Sequence, residues 1–115
     1  MQVELLTRVQ DALDAIAAIE NFLTNQSQDD FLESDMLQAA VERKFEIPGE
    51  SLKKAADLDP RLEQVIPELR QIVAMRNRII HVYDAVDHFI LWDVVQTELP
   101  NLRERLQSAL VDGLD

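Results

Sequence analysis

The sequence predicts an all-α protein, an antiparallel up-and-down bundle of four to five helices forming one domain over residues 1–115. Three observations carry this. Apolar residues recur at three- and four-residue spacing through most of the chain, the signature of helices with one buried face. No segment alternates with the period of two that a half-buried strand needs. Two glycines and four prolines are too few for the turns of a sandwich or barrel.

The first helix is predicted over residues 3–23. Val3, Leu6, Val9, Leu13, Ile16, Ile19 and Leu23 form its apolar stripe, with Glu4, Arg8, Asp11 and Asp14 between them. The polar run "TNQSQDD" (24–30) ends that period and supplies N-cap residues. A short turn at "FLES" follows. A second long helix is predicted from about Asp35 to Ala56, with Met36, Leu37, Ala40, Val41, Phe45, Leu52 and Ala56 on its apolar side. "EIPGE" (46–50) interrupts it with a proline, which cannot donate a hydrogen bond, beside a flexible glycine. A kink or a break into two helices is expected there.

"DLDP" (57–60) reads as a loop. Pro67 suits the first position of the next helix, whose stripe of Leu69, Ile72, Val73, Ile79 and Ile80 runs up to His81. "VYDAVD" is a short connection. The closing helix, "HFILWDVVQTELPNLRERLQSALVDGL", has Ile90, Leu91, Val94, Val95, Leu99, Leu102, Leu106 and Leu110 as its seam. Pro100 either kinks it or opens a new helix. Trp92 belongs to the core or to an interface, His88 to the surface, and Met36 and Met75 fill irregular packing.

No cysteine is present, so thiolate chemistry and a disulfide framework are excluded. No apolar run is long enough to span a bilayer, and the N-terminus lacks a signal-peptide pattern. The expectation is therefore a cytoplasmic protein without a membrane partner. The formal net charge of −11 opposes generic nucleic-acid binding, but its distribution does not. Residues 43–78 hold eight basic and six acidic residues, a net of +2, while the rest holds three basic and sixteen acidic, a net of −13. The positive charge is local and leads into "MRNRIIHVYD" (75–84).

That stretch places Arg76, Asn77, His81 and Tyr83 together in a chain with two histidines and one tyrosine. On a helix Asn77 and His81 share a face. Arg76 and His81 are separated by about 7.5 Å along the axis, within reach of a long guanidinium. Histidine exchanges a proton near neutral pH, and arginine offers a fixed cationic fork to a phosphate. Together they form a minimal set for cleaving RNA without a metal: a base for the 2′-hydroxyl and a cation for the charge building on phosphorus. A second histidine from a two-fold partner would supply the acid. The same residues also read more simply, with His81 capping carbonyls at a helix end and Tyr83 at the rim of the core.

"RNRIIHVY" resembles the Arg-x4-His motif of HEPN domains, in particular the Arg-Asn-x-x-x-His-x-Tyr form of the HepT-like toxin family. "RKFEIPGESLKKA" resembles that family's Arg-x-x-Glu-Ile-x-Gly-Glu segment. "IPELRQIVAMRNRIIH" and "ILWDVVQTELPNLRERL" resemble its approach to the motif and its closing helix, so the resemblance covers nearly the whole chain. Pro48 departs from the family's usual aliphatic residue, and the tryptophan that commonly follows Ile-Pro is absent. The resemblance implies a homodimer with a cleft built from two motifs, and a metal-independent endoribonuclease toxin needing no cofactor. It also implies a minimal nucleotidyltransferase antitoxin that transfers AMP to the motif tyrosine. Residue by residue, Arg76 and His81 would be catalytic, Asn77 supporting and Tyr83 the site of AMPylation. Arg43 and Arg78 are candidate contacts to RNA phosphates, Arg78 otherwise reading as a solvated neighbour, and Glu46 and Glu50 match family positions that could orient Arg43 or Arg76, with simple surface acids the alternative.

Two other readings differ in class. A non-catalytic helical subunit could dock on a nucleotidyltransferase and hold nucleotide or substrate for it. A carboxylate-bridged metal enzyme would need Glu-x-x-His pairs on facing helices, and the sequence has none.

Overall fold

The computed structural model describes residues 2–81 and 86–114, and for His81 the backbone alone. Among these residues there are six helices and no strand: α1 (Val3–Phe22), α2 (Gln28–Glu33), α3 (Asp35–Leu58), α4 (Arg61–Val65), α5 (Leu69–His81) and α6 (His88–Asp112). The all-α expectation holds. The helix count rises because α2, read in part as a turn, and α4, which follows the predicted 57–60 loop in a stretch given no element, are too short to show an apolar period.

Local chemistry explains why α2 forms at all. Ser27 Oγ accepts from the Asp30 amide (3.1 Å), and Asp30 Oδ2 accepts from the Ser27 amide (2.9 Å), a complete capping box. At the other end Gln38 Nε2 donates to the Phe31 and Leu32 carbonyls at 3.1 Å each. Buried Phe31 then anchors the short helix in the core. The α1–α2 turn contains Asn25 at φ 62°, the left-handed region that asparagine tolerates better than most side chains.

The buried stripe of α1 is Leu5, Val9, Ala12, Ile16, Ile19 and Leu23, alternating four- and three-residue steps. The sequence stripe was offset in part: Val3 is 79% exposed, while Leu6 and Leu13 lie at the flanks. Alanine decides the difference. Ala12 and Ala15 are buried against the core, and small side chains there allow a neighbouring helix to approach closely.

α3 packs against both α1 and α5, so it has a neighbour on each side. It runs unbroken from Asp35 to Leu58 through Pro48, and α6 likewise continues through Pro100, so neither proline divides its helix. Pro48 is buried, which offsets part of the lost hydrogen bond with apolar contact. Met36 faces solvent at 80% exposure and fills no core gap, whereas Met75 is buried. The face of α5 in the core is Leu69, Ile72, Met75 and Ile79, with Val73 and Ile80 half-buried beside it. Ile90 at the start of α6 is exposed, and Ala109 takes a buried place in the seam.

Polar ties fix how the helices meet. Buried Glu68 accepts from Arg105 Nε at 2.8 Å, linking the entry of α5 to α6. Arg103 donates to Glu20 across α6 and α1. His88, expected at the surface, is half-buried: its Nε2 lies 3.1 Å from Glu42 Oε1 and its ring stands edge-on to Phe31. Trp92 tilts against the same phenylalanine, 5.5 Å between centroids, which places it at the core's edge. Asp87 caps this helix by accepting from the Phe89 and Ile90 amides at 2.9 and 3.3 Å. Among the described residues no helix is long and apolar enough to cross a membrane.

Phe45 is fully buried on α3. Phe45→Ala should cost about 3–5 kcal/mol of stability through lost burial and the cavity left behind. Urea or guanidinium unfolding followed by circular dichroism checks this.

Candidate active site

Four residues of the "EIPGE" and "MRNRIIH" segments meet where α5 crosses α3. Gly49 is buried, and a Cβ built on it would stand 2.2 Å from Arg76 Cβ and 2.5 Å from Arg76 Cγ. The stem of Arg76 therefore lies directly on the α3 backbone. Any larger residue at 49 would push it away. The sequence suggested that Gly49 loosens a bend, but the structure gives it another role. It makes room for an arginine.

Resting there, the Arg76 side chain is 16% exposed and holds its guanidinium beside two acceptors. Nη1 donates to Asn77 Oδ1 at 3.1 Å, and Nη2 lies 3.5 Å from Glu50 Oε2. Nε is buried and has no acceptor among the described residues. Asn77 thus holds one end of the Arg76 guanidinium. Glu50 orients it from the facing helix.

Glu50 is half-exposed, and Lys54 Nζ sits 3.2 Å from its other oxygen. The Lys54 hydrogen bond and charge hold the Glu50 carboxyl below the usual glutamate range, and the guanidinium charges of Arg76 and Arg8 add to this. Slight burial opposes the shift. Arg8 was not singled out from sequence, because only the packing of α1 on α3 brings it near Glu50.

The remaining site residues separate into two groups. Arg43 is paired with Glu46 at 3.0 Å on the outer face of α3, and Arg78 is exposed on α5. His81 ends α5, on the same helix as Arg76 and Asn77. Its side chain and Tyr83 lie outside the described residues. Beside Asn77 opens a groove of about 330 Å³ between α3 and α5, lined by Lys53, Ala56, Leu69, Arg70, Val73 and Asn77 among others. Among the described residues no three His, Cys, Asp or Glu side chains are grouped to hold a metal ion.

The sequence that builds this helical chain is similar to known proteins. The family model "Ribonuclease HepT-like" matches residues 12–109, and the chain belongs to that family. Over 100 residues the chain is 35% identical to a protein of Thermococcus cleftensis named "Probable ribonuclease HepT", covering 87% of this chain and 90% of that one. It is 26% identical over 104 residues to "Putative RNase MJ1216" of Methanocaldococcus jannaschii, covering 89% and 84% of the two chains. No solved structure gives a significant match.

In a helix interior, glycine to alanine ordinarily stabilises by about 0.5–1 kcal/mol. Gly49→Ala should have the opposite sign and destabilise by about 1–3 kcal/mol, because its methyl group overlaps the Arg76 stem. Denaturant unfolding reads the sign directly. A carboxyl titration by NMR should place Glu50 below the ordinary glutamate pKa. Because its folded pKa is depressed, its stabilising contribution is present above the unfolded value and fades as pH falls through the folded one. Glu50→Gln should remove that part of the acid dependence.

Proposed function

We propose that the chain is a metal-independent endoribonuclease toxin that cleaves RNA at Arg76 and His81 in a cleft formed by two copies. The observation that carries this reading is Arg76 itself. An arginine seated on a glycine of the neighbouring helix, with its guanidinium held by Asn77 and Glu50, is a preorganised cation rather than a mobile surface charge. Membership of the HepT-like family supports the substrate class.

In this reaction the His81 imidazole takes the proton of a ribose 2′-hydroxyl. The 2′-oxygen attacks the adjacent phosphorus while the bond to the 5′-oxygen breaks. The departing 5′-oxygen receives a proton from the partner copy's imidazolium. The products are a 2′,3′-cyclic phosphate and a 5′-hydroxyl, and Arg76 balances the charge that gathers on the non-bridging oxygens. Arg43 and Arg78 contact flanking phosphates. A two-fold partner doubles these cations in one cleft, which reconciles RNA binding with a net charge of −11.

Control falls to Tyr83. A minimal nucleotidyltransferase partner transfers AMP from ATP to its hydroxyl and releases pyrophosphate. The adduct places bulk and negative charge beside the motif and excludes an RNA phosphate.

The test is incubation of the purified chain, made without a partner, with total RNA in excess EDTA. Wild type should cleave, and His81→Ala should lose about 10²–10⁴-fold of the rate. Arg76→Ala should lose about 10²–10³-fold with RNA binding retained in part. Cleavage that EDTA abolishes, or that survives His81→Ala unchanged, would falsify the assignment. No cleavage by a folded chain whose Tyr83 carries no adduct by intact mass would favour a non-catalytic binding subunit.

A further inference from the structure

The groove between α3 and α5 adjoins the motif, and its walls are chemically mixed. It encloses about 330 Å³, near the lower end of the range for ligand pockets, about 300–1,000 Å³. Small side chains open it, because Ala56 of α3 and Ala74 of α5 leave space where larger residues would interlock the two helices. Four charged side chains line it as well: Lys53 and Asp57 of α3, Glu63 of α4 and Arg70 of α5. All four are exposed, and among the described residues none is held by a hydrogen bond or an ion pair. Asn77 stands where groove and motif join. Its Oδ1 accepts from Arg76 at 3.1 Å, and its Nδ2 donor has no partner among the described residues. Position 81 lies one turn further along α5. Two free carboxylates are unexpected beside a site for RNA, because they repel its phosphates. They have a use if they meet the part of the polymer that carries N–H donors.

We propose that this groove is a base-binding subsite that takes a guanine of the RNA strand beside the cleaved linkage. The inference deepens the ribonuclease reading and rests on it for the class of ligand. Unstacked bases of single-stranded RNA are read by apolar or guanidinium surfaces on their faces and by hydrogen bonds on their edges. Here Leu69, Val73 and the two alanines offer apolar surface, and the Arg70 guanidinium offers a plane to stack on. Edge chemistry selects among the bases. Guanine sets N1–H and N2–H donors side by side, which one carboxylate, of Asp57 or Glu63, accepts together. Its O6 and N7 acceptors suit Lys53 or the free Asn77 amide. Uracil flanks its ring N–H with two carbonyl oxygens, and adenine and cytosine put a bare ring nitrogen beside the amino group. A carboxylate meets repulsion at each of these. A base held in the groove anchors the strand beside Asn77, which also holds Arg76, so the neighbouring phosphate reaches the motif in a fixed register.

The experiment measures anisotropy of short fluorescein-labelled oligoadenylates with the full chain carrying His81→Ala, at one fixed salt concentration. The strands carry one central guanine, one central inosine, or neither. The guanine strand should bind about tenfold tighter than the other two, since inosine lacks the N2 amino group. Asp57→Asn combined with Glu63→Gln should erase that preference and leave the other strands bound as well or better. Removing two negative charges from an acidic chain predicts only tighter RNA binding unless the carboxylates touch the base, so the sign of the change carries the test. Ala74→Trp, which fills the groove from an exposed position, should lose the guanine preference too. Equal binding of the three strands by the folded parent would overturn the subsite, and so would a guanine preference that the carboxylate variant keeps. An Ala74→Trp chain of lower mass than its parent by light scattering would overturn it in favour of a groove covered by a second copy. Cleavage by chains with His81 intact is followed in parallel. Cleavage without regard to guanine removes the subsite and leaves the nuclease. Guanine-selective binding without cleavage removes the nuclease and leaves the subsite.

Discussion

The contact of the Arg76 stem with the α3 backbone at Gly49 fixes how closely α5 approaches α3, the helix against which both α1 and α5 pack. With hydrogen at position 49, α5 lies against α3, and its Met75 and Ile79 share one buried core with Phe45 and Leu52 of α3. The same contact immobilises the first three carbons of an arginine that would otherwise sample many rotamers. That ordering is already present in the folded chain, so a ligand meeting Arg76 need not bear the full entropy of fixing it.

Electrostatics then exploit the geometry. An acidic chain can still bind an anion if its few cations converge, because Coulomb energy falls with distance and exposed charges beyond about 10 Å are screened. Glu50 is central to that convergence. It holds Lys54 on its own helix and meets Arg76 across the α3–α5 contact. Of the acids elsewhere, Glu20, Glu42 and Glu68 are engaged in contacts between other helices.

Much of this was legible in the residues. The four long helices follow from apolar spacing, whereas motif spacing related Asn77 and Arg76 only to His81, and the hydrogen bond between the adjacent Arg76 and Asn77 comes from the structure. Which acid meets which arginine was open in the sequence, and the structure pairs Glu46 with Arg43 and Glu50 with Arg76. Other features were hidden for stated reasons. α2 spans six residues, too few to reveal a period, and is defined by caps at Ser27 and Gln38 rather than by a stripe. Pro48 and Pro100 looked like breaks because the local cost of proline is evident in sequence, while the burial that offsets it is not. His88 looked like a surface residue because its partners, Glu42 and Phe31, are dozens of residues away in the chain.

By itself, then, the sequence determined the four long helices, the absence of cysteine, and the local spacing of Arg76, Asn77 and His81, because periodicity and spacing act through neighbours along the chain. Tertiary structure alone decided that Gly49 is a seat for Arg76 rather than a hinge, that α1 buries Ala12 fully and Leu13 only in part, and that Glu50 meets Arg76 across α3 and α5. Each of these depends on how closely two helices approach, a quantity set by side-chain volume on both surfaces at once.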